Sequence, residues 1–126
     1  MTATIEHANI TTADPKATAA LLCDLFEWKI RWEGAAIHGG YSVHVGSTGS
    51  YLALYRPGPG ATQAAERYSP VGGLNHVGLT VSDLDAAEAR VKAAGFETHS
   101  HADYEPGRRF YFDGPDGVEY ELVQYD

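Results

Sequence analysis

The chain has 126 residues, 44% of them hydrophobic, enough for one domain with a real core. A net charge of −8 and a pI near 5.1 count against nucleic acid and against an anionic membrane, which both want a basic face, and leave a small molecule as the expected partner. No stretch approaches the ~20 apolar residues of a membrane span, and no basic start precedes an apolar N-terminal run, so the chain reads as soluble and cytoplasmic.

Thr4 to Ile10 reads as a first strand, with Ile5, His7 and Asn9 alternating against Glu6, Ala8 and Ile10. Asp14-Pro15 then opens a helix as N-cap and first helical residue, and Ala19, Leu22, Leu25 and Phe26 give it an apolar stripe. Its cysteine, Cys23, is the only one in the chain. It cannot form an internal disulfide, fits a reducing compartment and reads as a structural thiol. Trp28 to Glu33 is a second strand ending at Gly34, Tyr41 to Gly46 a third and Ser50 to Arg56 a fourth. Pro57-Gly58-Pro59-Gly60 ends that run, and residues 57–73 show no periodicity and read as a linker.

The order then repeats. Leu74 to Val81 is a strand, Asp83 caps a helix with Leu84, Ala87, Val91 and Ala94 along one face, and Gly95 closes it. Phe96 to Ser100 is a strand, Tyr104 to Gly107 a loop, and Arg108 to Asp113 and Val118 to Tyr125 form a hairpin across Gly114-Pro115-Asp116-Gly117. Sliding the sequence on itself by 69 positions sets His7 on His76, Ile10 on Leu79, Asp14 on Asp83, Tyr51 on Tyr120 and Leu52 on Glu121. The expected fold is therefore α+β: a single domain, 1–126, made of two βαβββ modules, 1–56 and 74–126, whose helices lie on one side and whose mixed sheets curve as a half-barrel around a cavity. Alternation turns His7 and His76 away from the helices and toward that cavity.

The two modules, a histidine in the first strand of each, and Phe112-Asp113-Gly114-Pro115-Asp116-Gly117 leading to Glu121-Leu122 together resemble the vicinal oxygen chelate superfamily, over essentially the whole chain. This superfamily includes glyoxalase I, bleomycin-resistance proteins, extradiol dioxygenases and fosfomycin-resistance transferases. In its metal-using members the resemblance implies one ligand from the first and one from the last strand of each module. Those positions here are His7, Leu52, His76 and Glu121, of which Leu52 cannot ligate. Two imidazoles and one carboxylate form a triad that holds Fe, Mn, Zn or Ni and leaves coordination open for water and substrate. The bland alternative is a pair of satisfied core histidines and a solvated Glu121.

Leu52 counts against glyoxalase I chemistry, because the resemblance places there a carboxylate that shuttles a proton. His101-Ala102-Asp103-Tyr104-Glu105-Pro106-Gly107 lacks the serines of the potassium loop found in the antibiotic-thiol transferases, and two modules are fewer than most ring-cleaving dioxygenases have. Asn9, His44 and Tyr111 are candidate catalytic residues: Asn9 as a donor to a substrate oxygen, His44 as a base and Tyr111 as an acid or donor, each weighed against an ordinary pocket-lining role. Arg108 and Arg109 read as a solvated pair on a hairpin edge, and His99 and His101 as surface residues on one strand face. Glu27 stands where the family has glycine after the first helix, and Gly114 where it has aspartate.

The function expected is that of a metal-dependent lyase or dioxygenase type of enzyme acting on a small oxygen-chelating substrate. It is expected to work as a homodimer in which His7 of one chain meets His76 and Glu121 of the other. The alternatives are a non-catalytic drug-binding protein of the bleomycin-resistance type, which lacks the triad, and a lactoylglutathione lyase-like protein with a degenerate site.

Overall fold

The structure, a computed structural model, describes residues 1–64 and 66–126. It is an α+β fold of two compact units, Met1–Thr62 and Gln63–Asp126. The first contains β1 (His7–Thr11), α1 (Pro15–Phe26), β2 (Lys29–Ala36), β3 (Gly40–Gly46) and β4 (Tyr51–Arg56). The second contains β5 (Val77–Thr80), α2 (Leu84–Ala93), β6 (Thr98–Tyr104), β7 (Gly107–Asp113) and β8 (Glu119–Tyr125). Each unit is thus βαβββ, and its strands form a four-stranded mixed sheet, ordered β1-β4-β3-β2 in one and β5-β8-β7-β6 in the other. The first strand of each unit runs parallel to the last, and the remaining pairings are antiparallel.

In the first unit α1 starts where Asp14 Oδ1 accepts from Ala17 N at 3.1 Å, with Pro15 at the position whose missing N–H costs nothing. It buries Ala19, Leu22 and Leu25 against the sheet face that carries Val43, Val45, Leu52 and Leu54, each large side chain contributing on the order of 1.5–3 kcal/mol. In the second unit Asp83 Oδ1 caps α2 through Ala86 N at 3.0 Å, and Leu84, Ala87 and Val91 are buried in the core that includes Phe110, Phe112, Tyr120 and Leu122. Ala94 lies outside the stripe expected for it because the helix ends at Ala93.

Several expected boundaries move. The strand β1 starts at His7, so Thr4 to Glu6 precede it, and His76 stands one residue before β5. Gly34 does not end β2, which runs to Ala36. A Cβ at Gly34 would sit 2.8 Å from the Trp32 ring, so any side chain there would force that ring to shift. The supposed loop at Tyr104–Gly107 is a tight turn, with Tyr104 paired to Gly107 and a Cβ on Gly107 blocked 2.1 Å from Gln124 O. Similarly, a side chain on Gly114 would meet the Tyr120 ring at 2.9 Å. The segment read as a linker divides after Thr62, and its later part is bonded within the second unit.

Candidate functional site

Strand register places the site residues. In the parallel pairs Asn9 lies opposite Ala53 and Gly78 opposite Glu121, while Ala8 lies opposite Leu52 and Val77 opposite Tyr120. The counterpart of Glu121 is therefore Ala53, and that of Tyr120 is Leu52. This corrects the pairing of Leu52 with Glu121: the offset of 69 that holds for the first strands becomes 68 for the last, and a slip of one residue changes the face of every side chain. Leu52 and Tyr120 are buried on the helix side. Ala53 and Glu121 point to the opposite face, and Ala53, like Leu52, has no donor to offer.

In the first unit that face carries Asn9 and a ladder of rings from His7, Tyr51, His44 and Trp32. His7 stacks on Tyr51 at 4.9 Å, Tyr51 on His44 at 4.7 Å, and Trp32 lies 5.0 Å from His44. His7 Nδ1 is 2.9 Å from Glu6 Oε1, which also accepts from Tyr51 at 3.3 Å. The His7 contact holds the Glu6 carboxyl below its ordinary value. In the neutral imidazole, Nδ1 then donates to that carboxylate and Nε2 carries the lone pair. Burial, then the nearby His7, pushes the His44 imidazole down and so favours its neutral form. Asn9 is exposed beside His7 on the same face.

In the second unit the face opposite α2 gathers His76, Glu119, Glu121, Arg109, Tyr111, Asp113 and His99. His76 Nε2 lies 3.7 Å from Glu121 Oε1. The other Glu121 oxygen accepts a hydrogen bond from Tyr111 and lies 3.4 Å from Arg109 Nη1. Glu121 and Arg109 are each only 13% exposed, so each charge needs the other. The Glu121 hydrogen bond, with burial behind it, pushes the Tyr111 hydroxyl up to about 12, so it remains a proton donor throughout the neutral range. Arg109 is also stacked on Tyr104, 4.5 Å from the ring centre.

The reading of Arg108 and Arg109 as a solvated pair is thus corrected: adjacent strand residues face opposite ways, and Arg108 reaches Asp85 on the helix side at 3.2 Å. His99 and His101 also part company. A bulge between His99 and Ala102, with Ser100 at φ 57°, breaks the alternation. His101 turns to the helix side, with Nε2 2.6 Å from Glu88 Oε2, while His99 stacks on Tyr111 at 6.2 Å. Among the described residues, His99, Asp113 and Glu119 offer donor atoms within 4.8 Å of one another. Arg67 lies 3.7 Å from Asp113, and Tyr68 donates to Glu119.

Sequence reasoning missed Glu119 and Tyr68. Glu119 was legible as the i−2 neighbour of Glu121 on the same strand face. Tyr68 carries no periodic signal and has a positive φ of 70°.

The donor set can be tested against a divalent ion. His76 Nε2 and Glu121 Oε1, 3.7 Å apart, are close enough that both would be available to one divalent ion. Glu121 Oε1 is the carboxylate oxygen that Tyr111 and Arg109 leave available. Asp113, Glu119 and Glu121 against Arg67 and Arg109 leave these five groups net negative, which favours a cation. The residues of the second unit fit a metal as a two-donor half-site, and His7 is a second imidazole donor, in the first unit.

Two mixed-sheet modules, each with an imidazole beside its first strand and one with a carboxylate on its last, define the class of protein. The family model of the Glyoxalase/Bleomycin resistance protein/Dioxygenase superfamily matches residues 4–122, and the chain belongs to that superfamily. Among solved structures it is similar to the glyoxylase/bleomycin resistance protein/dioxygenase domain from Frankia sp. EAN1pec, at 20% identity, 100% of each chain and a TM-score of 0.84. It is also similar to TnmS3, an antibiotic binding protein from Streptomyces sp. CB03234, at 19% identity, 99% of this chain and 98% of that one, with a TM-score of 0.75. A third similar structure is the fosfomycin resistance protein FosX from Listeria monocytogenes, complexed with Mn(II) and a sulfate ion. It is 19% identical over 100% of this chain and 95% of that one, with a TM-score of 0.76. No curated protein matches the sequence.

Proposed function

We propose that this protein is a divalent-metal-dependent enzyme of its superfamily, acting on a small substrate with oxygens on neighbouring atoms. The observation that carries the reading is the pairing of His76 Nε2 with Glu121 Oε1 at 3.7 Å, with the other carboxylate oxygen already satisfied. His76 and Glu121 would hold the ion, with His7 of a second copy as the third ligand in a homodimer. When bound, the metal supplies Lewis-acid polarisation of a substrate oxygen.

The protein's own groups do the rest. Tyr111 keeps its proton and holds Glu121 in place, and Arg109 balances the carboxylate's charge. His44, neutral on the ring-bearing face, can accept a proton, and Asn9 can donate to a substrate oxygen. That FosX was solved with Mn(II) makes Mn(II) a first ion to try.

The test is elemental analysis and calorimetric titration with Mn(II), Zn(II) and Ni(II), on wild type and on His76→Ala and Glu121→Ala. One ion per site in wild type, lost in both variants, supports the reading. Absence of binding in wild type overturns it. A second reading, a non-catalytic binder of planar aromatic molecules, is favoured by the Trp32–His44–Tyr51–His7 ladder. It requires that ligand binding persist in metal-free protein and fall in Trp32→Ala.

A further inference from the structure

The imidazole of His76 is tied at its far side by a residue outside the repeat. Tyr68 Oη lies 3.1 Å from His76 Nδ1 and also donates to Glu119. His76 Nδ1 itself is 3.8 Å from Glu119 Oε1, too far for a direct hydrogen bond, so the tyrosine hydroxyl stands between them. The direction of each proton then follows from chemistry. The hydroxyl has a single proton, and it is donated to Glu119 Oε1. What the hydroxyl offers to the imidazole is a lone pair, and the proton between them sits on Nδ1.

We infer that Tyr68 is a positioning residue: with Glu119 it locks His76 in the Nδ1–H tautomer and turns the Nε2 lone pair toward Glu121 Oε1. The position of Tyr68 is over-determined, as this role requires. Its φ of 70° is a left-handed conformation that a tyrosine rarely adopts. Its backbone N–H is held by Asn75 Oδ1 at 2.8 Å, one residue before His76. The neighbouring Arg67 anchors the same segment, donating to Gly117 O and lying 3.7 Å from Asp113. The first unit reaches the same end by a shorter route, since His7 Nδ1 meets Glu6 Oε1 directly at 2.9 Å. In both units, then, the inner nitrogen is committed and Nε2 is left to act. Outer partners of this kind typically change metal affinity by about 10–100-fold.

The consequence for metal rests on the proposed function, whereas the tautomer does not, so the experiment reads both. Nitrogen-15 NMR of the imidazole side chains in metal-free protein should show His76 protonated at Nδ1 in wild type. Tyr68→Phe should lose that preference with the backbone amide spectrum otherwise unchanged. Glu119→Ala should reverse it, because the freed hydroxyl proton can turn onto Nδ1. Calorimetry with Mn(II) should then give about 10–100-fold weaker binding for Tyr68→Phe. Protonation of wild-type His76 at Nε2, or an unchanged tautomer in both variants, would overturn the inference. If no variant and no wild type binds Mn(II), the metal reading fails while the tautomer data still decide the relay.

Discussion

At the scale of single residues, Glu121 is the hinge of the second unit's site because its two oxygens have different work. One is saturated by Tyr111 and Arg109, and the other faces His76. Removing the charge should therefore be felt at the tyrosine. In Glu121→Gln, metal-free, the Tyr111 hydroxyl loses its principal raising influence, and its titration should move from about 12 back toward the ordinary value of 10.0, as ultraviolet difference titration would show. An unchanged titration would mean that burial alone raises it. The alanine at position 53 explains why the first unit has no counterpart of Glu121: the register puts a methyl group there.

At the scale of elements, the helix ends offer a sharper test of sequence against structure. Glu27 caps α1 in the left-handed region at φ 58°, with its N–H bonded to Cys23 O at 3.0 Å. Glycine takes that conformation without a Cβ penalty, so Glu27→Gly should stabilise the protein by about 1 kcal/mol and raise Tm by about 4 °C in a thermal scan. The contact of α2 with β6 carries a pH dependence. Burial works to raise the Glu88 carboxyl, but hydrogen bonds from Thr98 and His101, with the charges of His101 and Lys92, outweigh it, and the group titrates below 4.5. Its charged form is favoured by folding. That stability is present above pH 4.5 and lost as pH falls through the lower folded value. Wild type should consequently lose Tm on acidification below pH 4.5 more steeply than Glu88→Gln, and parallel curves would refute the assignment.

At the scale of the whole molecule, metal and stability are linked by mass action. If the proposed function holds, Mn(II) at about 100 times its Kd should add roughly 2.7 kcal/mol to wild type and nothing to Glu121→Ala, which melting at several Mn(II) concentrations will show. The duplicated βαβββ order was legible in the sequence alone, since strand alternation, Asp helix caps and the recurrence of His7 as His76 are local signals that survive without tertiary information. A two-residue period also puts Tyr111 on the face of Arg109 and Asp113, and Glu121 on that of Glu119, once those strands are known. The tertiary structure alone decided three things. It fixed the register that exchanges Leu52 for Ala53, because a change of one residue between repeats moves a side chain across the sheet. It placed the bulge at Ser100 that sends His99 and His101 to opposite faces, because a positive φ leaves no hydrophobic pattern. It also brought Tyr68 onto His76, because an aperiodic segment is positioned by hydrogen bonds to distant residues and not by the spacing of its own.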